Sequence, residues 1–129
     1  MTKEEHIQYW LTTAQHDMES ASSMVDSKHF DWSLFVGHLA LEKLLKAHWV
    51  KNNAGDIPPK IHHLVRLANE AKLSLTDEQS EFLADVNGFN IEARYPEQKL
   101  AFYKLCTKEF ASEKLNKIKE YYGWLRRMI

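Results

Sequence analysis

Apolar residues recur every three or four positions along nearly the whole chain, the spacing of an amphipathic α-helix rather than of a strand. Ile7, Trp10, Leu11, Ala14, Met18, Ala21, Met24 and Val25 form one such stripe, and Thr2 with Glu5 has capping-box spacing at its start. The pattern predicts a second helix from about Phe30 to Val50 and a third from about His62 to Lys72. Between them the run Asn52-Asn53-Ala54-Gly55-Asp56-Ile57-Pro58-Pro59 is a break, because proline has no amide hydrogen to continue a helix. Thr76 with Gln79 repeats the capping pattern and opens a fourth helix toward Phe89. A last helix runs from about Thr107, with Ala111, Leu115, Ile118, Tyr122, Leu125 and Ile129 on one face. The segment from Asn90 to Cys106, interrupted by Pro96, fits no single element. No internal repeat or linker divides the chain. The expectation is an all-α fold, an up-and-down antiparallel bundle of about five helices, forming one domain over residues 1–129.

The second helix departs from the amphipathic pattern. Trp32, Leu34, Phe35, Val36, Leu39, Leu41, Leu44, Leu45 and Trp49 surround it, which predicts a central, buried helix. Yet His38, Glu42 and Lys46 stand at successive i,i+4 positions and draw one polar line through it. A buried charge costs several kcal/mol unless it is paired. That line therefore pairs internally, faces a groove, or meets another subunit. Glu42 before Lys46 is the favoured order for an ion pair within a helix, so a purely structural network stands beside a binding one.

Composition narrows the class further. The 129 residues are 44% hydrophobic and 27% charged, with four Gly and three Pro, which excludes disordered and turn-dense all-β readings. No stretch free of charge approaches the about 20 residues of a membrane helix, and Thr2-Lys3-Glu4-Glu5 is no secretory leader. One cysteine, Cys106, rules out an internal disulfide and a multi-cysteine zinc site. These features predict a soluble, cytoplasmic domain. Seventeen Lys and Arg nearly balance eighteen Asp and Glu. Eight of the basic residues fall after Gln98, against three Glu, but they lie mostly on the outer side of the last helix, as solvated faces do.

Few residues announce chemistry. His62 and His63 are adjacent, so they point about 100° apart on a helix, and no His-Glu-x-x-His pattern occurs. Neither a metal nor a cofactor is expected. Glycine-rich phosphate loops and the Gly-x-Ser-x-Gly elbow are absent as well. Tyr121, Tyr122 and Trp124 beside Arg126-Arg127 have the residue types that stack bases, but at helical spacing such aromatics are more often core.

The order of motifs is more telling than any one of them. Trp10 with Ala14-Gln15-His16-Asp17-Met18, Phe30-Asp31-Trp32-Ser33-Leu34-Phe35, His38-Leu39-Ala40-Leu41-Glu42-Lys43-Leu44-Leu45-Lys46-Ala47, Ile61-His62-His63-Leu64 and Ala93-Arg94-Tyr95-Pro96 follow one another along residues 8–125. In this order the chain resembles the HEPN family of small helical domains. The resemblance implies a bundle that pairs into a homodimer and either cleaves RNA without a metal, as in toxin–antitoxin systems, or binds a nucleotide or polyphosphate or serves beside a small nucleotidyltransferase. The ribonuclease branch carries an Arg followed after four to six residues by His. Here neither Arg94 nor Arg66 has a His in that window, so the usual acid/base for RNA cleavage is missing. The expectation is a non-catalytic homodimeric binding module, with a ribonuclease using a displaced His63, or a purely structural dimer, as alternatives. Lys46, Arg94 and Tyr95, with His38, Glu42 and His63 nearby, are the residues expected to line a groove for a phosphate-bearing ligand. Arg94 has the two-pronged geometry that grips phosphate, and Tyr95 offers a ring for a base.

Overall fold

In a computed structural model describing residues 1–129, six helices follow one another with no strand: α1 (Lys3–Asp26), α2 (Phe30–Asn52), α3 (Leu64–Glu70), α4 (Asp77–Glu92), α5 (Pro96–Leu105) and α6 (Lys108–Arg127). The expected caps start α1 and α4. Thr2 Oγ1 accepts the Glu5 N–H at 3.1 Å while Glu5 Oε1 accepts the Thr2 N–H at 3.3 Å. Thr76 and Gln79 do the same at 3.1 and 2.9 Å. Each box satisfies two amide donors that a helix start otherwise leaves open.

The chain reverses from α1 to α2 within Ser27–His29, where Lys28 takes a left-handed φ of 65°. So short a turn sets the two long helices antiparallel, and Asp17 grips Lys43 between them at 2.6 Å. As its all-round apolar wheel predicts, α2 is central: it touches every other helix and fully buries Leu34, Leu41, Leu44, Leu45 and Val50. Gly37 lets α6 come close, since a Cβ there would stand 3.1 Å from Ile118 Cδ1. Farther along, His48 donates from Nε2 to the Leu125 carbonyl at 2.8 Å. Burial holds the His48 pKa below its ordinary value.

The break after α2 is held by polar side chains. Lys3 Nζ donates to the carbonyls of Val50, Asn53 and Gly55 at 2.7, 2.9 and 3.0 Å, capping the open end of α2. The Asn52 and Asn53 amides donate to the Ala71 and Glu70 carbonyls, binding the end of α3 to the end of α2.

The sixth helix comes from the segment that fits no single element in sequence. α4 continues to Glu92, a corner follows at Ala93–Tyr95, and Pro96 occupies the first turn of α5. There its fixed φ suits the helix and its missing N–H is not needed, so the proline opens a helix rather than only ending one. α5 buries Phe102 alone and leaves Leu100, Tyr103 and Leu105 exposed. No helix is long and apolar enough to cross a membrane.

Candidate functional site

The polar line of α2 is sealed inside the bundle. His38, Glu42 and Lys46 are 0%, 4% and 8% exposed. Both Glu42 oxygens are engaged: Oε1 accepts from His62 Nδ1 at 2.8 Å and Oε2 from Lys46 Nζ at 3.2 Å. The Lys46 ammonium also lies 5.2 Å from the centre of the Trp10 ring. A carboxylate with a partner on each oxygen meets the condition under which a buried charge is tolerated.

His38 connects this line to a second region. Its Nε2 is 3.0 Å from the His62 carbonyl, which only an N–H can approach so closely. The proton is therefore on Nε2, and Nδ1 is left to accept from the Asn90 amide at 3.5 Å. Burial pushes the His38 pKa down, outweighing the opposite pull of Glu42. A neutral His38 in this tautomer turns the amide NH2 of Asn90 inward and its Oδ1 outward. That oxygen accepts from Arg94 Nη2, and the Asn90 carbonyl accepts from Arg94 Nε at 2.9 Å.

Arg94 is exposed, yet one edge of its guanidinium is pinned to the last turn of α4. The Phe35 and Tyr95 rings each lie 5.4 Å from its carbon. Of its five N–H donors the two on Nη1 and one on Nη2 stay free to point outward. This is the geometry that clamps a carboxylate or phosphate.

Of the residues picked from sequence, His38, Glu42, Lys46, Arg94 and Tyr95 thus fall along one connected path. Lys46 lies at its buried end, committed to Glu42, and Arg94 and Tyr95 lie at its open end. His63 lies apart: it is exposed, and its Nδ1 accepts the Arg66 N–H at 3.3 Å to cap α3. Two members of the path escaped sequence reasoning. Asn90 stands four residues before Arg94, a helical spacing that places them on one side. His62 enters only through the tertiary turn that lays its carbonyl on His38.

Other candidates resolve into packing. No three His, Cys, Asp or Glu side chains converge as a metal would require. Burial, with Asp31 and Glu92 nearby, pushes the Cys106 thiol up to about 12, so it stays protonated. Tyr121 packs on Phe82 at 4.4 Å and on Trp124 at 5.6 Å. In the basic last quarter Lys114 pairs with Asp85, and Lys117 covers the Phe82 ring.

No curated protein and no solved structure matches the chain. A family model, described as HEPN domain, matches residues 7–128. That span takes in all six helices save a few terminal residues, and with it the all-helical bundle, the sealed line of α2 and the Arg94 corner: the chain belongs to the HEPN domain family.

Proposed function

We propose that this HEPN domain is a non-catalytic binding module that pairs with a second copy and holds a phosphate-bearing, nucleotide-like ligand at the Arg94–Tyr95 corner. The observation that carries the reading is the guanidinium of Arg94, pinned by Asn90 on one edge, flanked by two rings and open on the other. Pinning removes most of the side-chain freedom that an anion would otherwise have to restrict, so the free edge is ready for a phosphate. His38 and Asn90 act behind Arg94 as its support, while Glu42 and Lys46 hold the core in which that support stands.

Against a ribonuclease stands the state of the histidines. His38, the one linked to Arg94, is buried, and both its nitrogens are engaged. His63 is taken up with capping α3. Neither offers a free imidazole next to Arg94 for moving protons on RNA. Labelled single-stranded RNA is expected to survive incubation with the protein. Pairing with a second copy is what membership of the HEPN family suggests, and sedimentation of the pure protein is its test. A small nucleotidyltransferase is the protein partner that family membership suggests, and its capture by the pure domain is the test of that part. The ligand is tested by melting curves with millimolar ATP, GTP or polyphosphate. They are expected to rise for the wild type and not for Arg94→Ala. No rise for the wild type ends the ligand reading and leaves a protein-binding dimer.

A further inference from the structure

Asp31 is a buried carboxylate with no partner. In the first turn of α2 it is 7% exposed, yet no hydrogen bond or ion pair engages either of its oxygens. The helix N-terminus favours its negative charge, and its oxygens are not enclosed in the packing but reach solvent. Lys99, the nearest candidate, rests its ammonium over the Trp32 ring at 4.5 Å instead.

What Asp31 faces is open space. It lines two clefts under α5, of about 290 and 360 Å³, and Tyr103 lines both. Lys99 edges the first cleft, and Lys28 and Lys104 the second. Together the two clefts bring one carboxylate, the Tyr103 side chain and three lysines side by side. The first cleft also touches Pro96, the residue after Tyr95, and Arg94 stands against the Phe35 ring, one helical turn along α2 from Asp31.

The charges select the guest. Three lysines repel a cationic partner, so these clefts do not suit a basic peptide. A carboxylate accepts and never donates when ionised, so its guest must present N–H groups. An anionic molecule with two neighbouring N–H donors on a flat ring meets both demands. We propose that Asp31 is the base-reading residue of this site and selects a guanine nucleotide. Its two oxygens take the N1–H and the 2-amino group, Tyr103 stacks on the ring, and Lys99 and Arg94 hold the phosphates. Adenine presents a single amino donor there and leaves one carboxylate oxygen empty. A site built to receive hydrogen bonds rejects a guest that cannot make them. This inference rests on the phosphate-binding reading of Arg94 and adds the identity of the base.

Titration calorimetry of the intact protein with GTP, ATP, XTP and inorganic tripolyphosphate tests it. GTP is expected to bind at least about tenfold tighter than ATP. Asp31→Asn removes a negative charge from the site, so it is expected not to weaken tripolyphosphate binding and to transfer the preference from GTP to XTP. An amide can donate to the 2-oxo group of xanthine, which a carboxylate repels. That gain cannot come from a misfolded variant. Tyr103→Ala, altering an exposed side chain, is expected to weaken GTP and spare tripolyphosphate. Equal affinity for GTP and ATP, a guanine preference that survives in Asp31→Asn, or GTP affinity unchanged in Tyr103→Ala overturns the proposal. If tripolyphosphate binds and no base is preferred, the base-reading role falls and the phosphate reading stands. If neither tripolyphosphate nor any nucleotide binds, both fall.

Discussion

The middle of α2 and the Arg94 corner use the same kinds of side chain to opposite ends. In α2, Glu42 and Lys46 are buried and pair with each other, and the second Glu42 oxygen accepts from His62. At the corner, Arg94 spends one edge on Asn90 and keeps the rest for solvent. The difference is that of a charge that holds the fold against one the fold holds out. Charged residues within a bundle are thus sorted by what remains unpaired once packing is complete, and His38 with Asn90 is the seam between the two regions.

Removing a member of the sealed region is expected to have the largest effect. Glu42→Ala leaves the Lys46 ammonium buried without its counter-charge and should lower unfolding stability by about 3–5 kcal/mol in denaturant titration. If the loss is below about 1 kcal/mol, water reaches the line and the contrast between the regions collapses.

Acidification probes the same seam more gently. His38 and His48 are both held below the ordinary histidine value of 6.5 by burial. Between that value and the lower folded one, the unfolded chain binds protons that the folded chain does not, so stability falls with pH there. Each histidine contributes a slope of at most about 1.4 kcal/mol per pH unit. The stability is fully present above 6.5. His38→Gln should flatten the fall; an unchanged profile would mean that His38 titrates alike folded and unfolded.

The seam itself is tested by Asn90→Ala. It removes the Oδ1 partner of Arg94 Nη2 and leaves the backbone bond to Nε and the charge, and is expected to weaken tripolyphosphate binding about fivefold in calorimetry. Unchanged affinity would show that Arg94 needs no support. The smallest effect belongs to a position outside both regions. Lys72, just after α3, holds a left-handed backbone that glycine adopts freely, so Lys72→Gly should raise stability by up to about 1 kcal/mol and leave ligand binding as it was.

Much of this was legible in sequence because it is local. The caps at Thr2 and Thr76, the stripe of α1 and the all-round apolar wheel of α2 are each written within a few turns of helix. The line of His38, Glu42 and Lys46 was legible for the same reason, as a spacing on one helix. Its partner His62 was not, because only the turn before α3 brings that residue across. Nor was α5 legible, since Pro96 reads equally as the end of one helix and the start of another. Asp31 was invisible as a candidate: an acid in a first helical turn is ordinary, and only the packing of α5 over it shows that it is buried and unpaired.

The most direct measurement is the melting temperature of wild type and Arg94→Ala, each with and without tripolyphosphate. Arg94 is exposed and its two bonds to Asn90 can be replaced by water, so the free variant should lose no more than about 1 kcal/mol. The ligand should raise the wild-type melting temperature and leave the variant unmoved. A free variant that melts far below the wild type, or a wild type that the anion does not stabilise, contradicts the claim that the fold holds this charge out for a ligand.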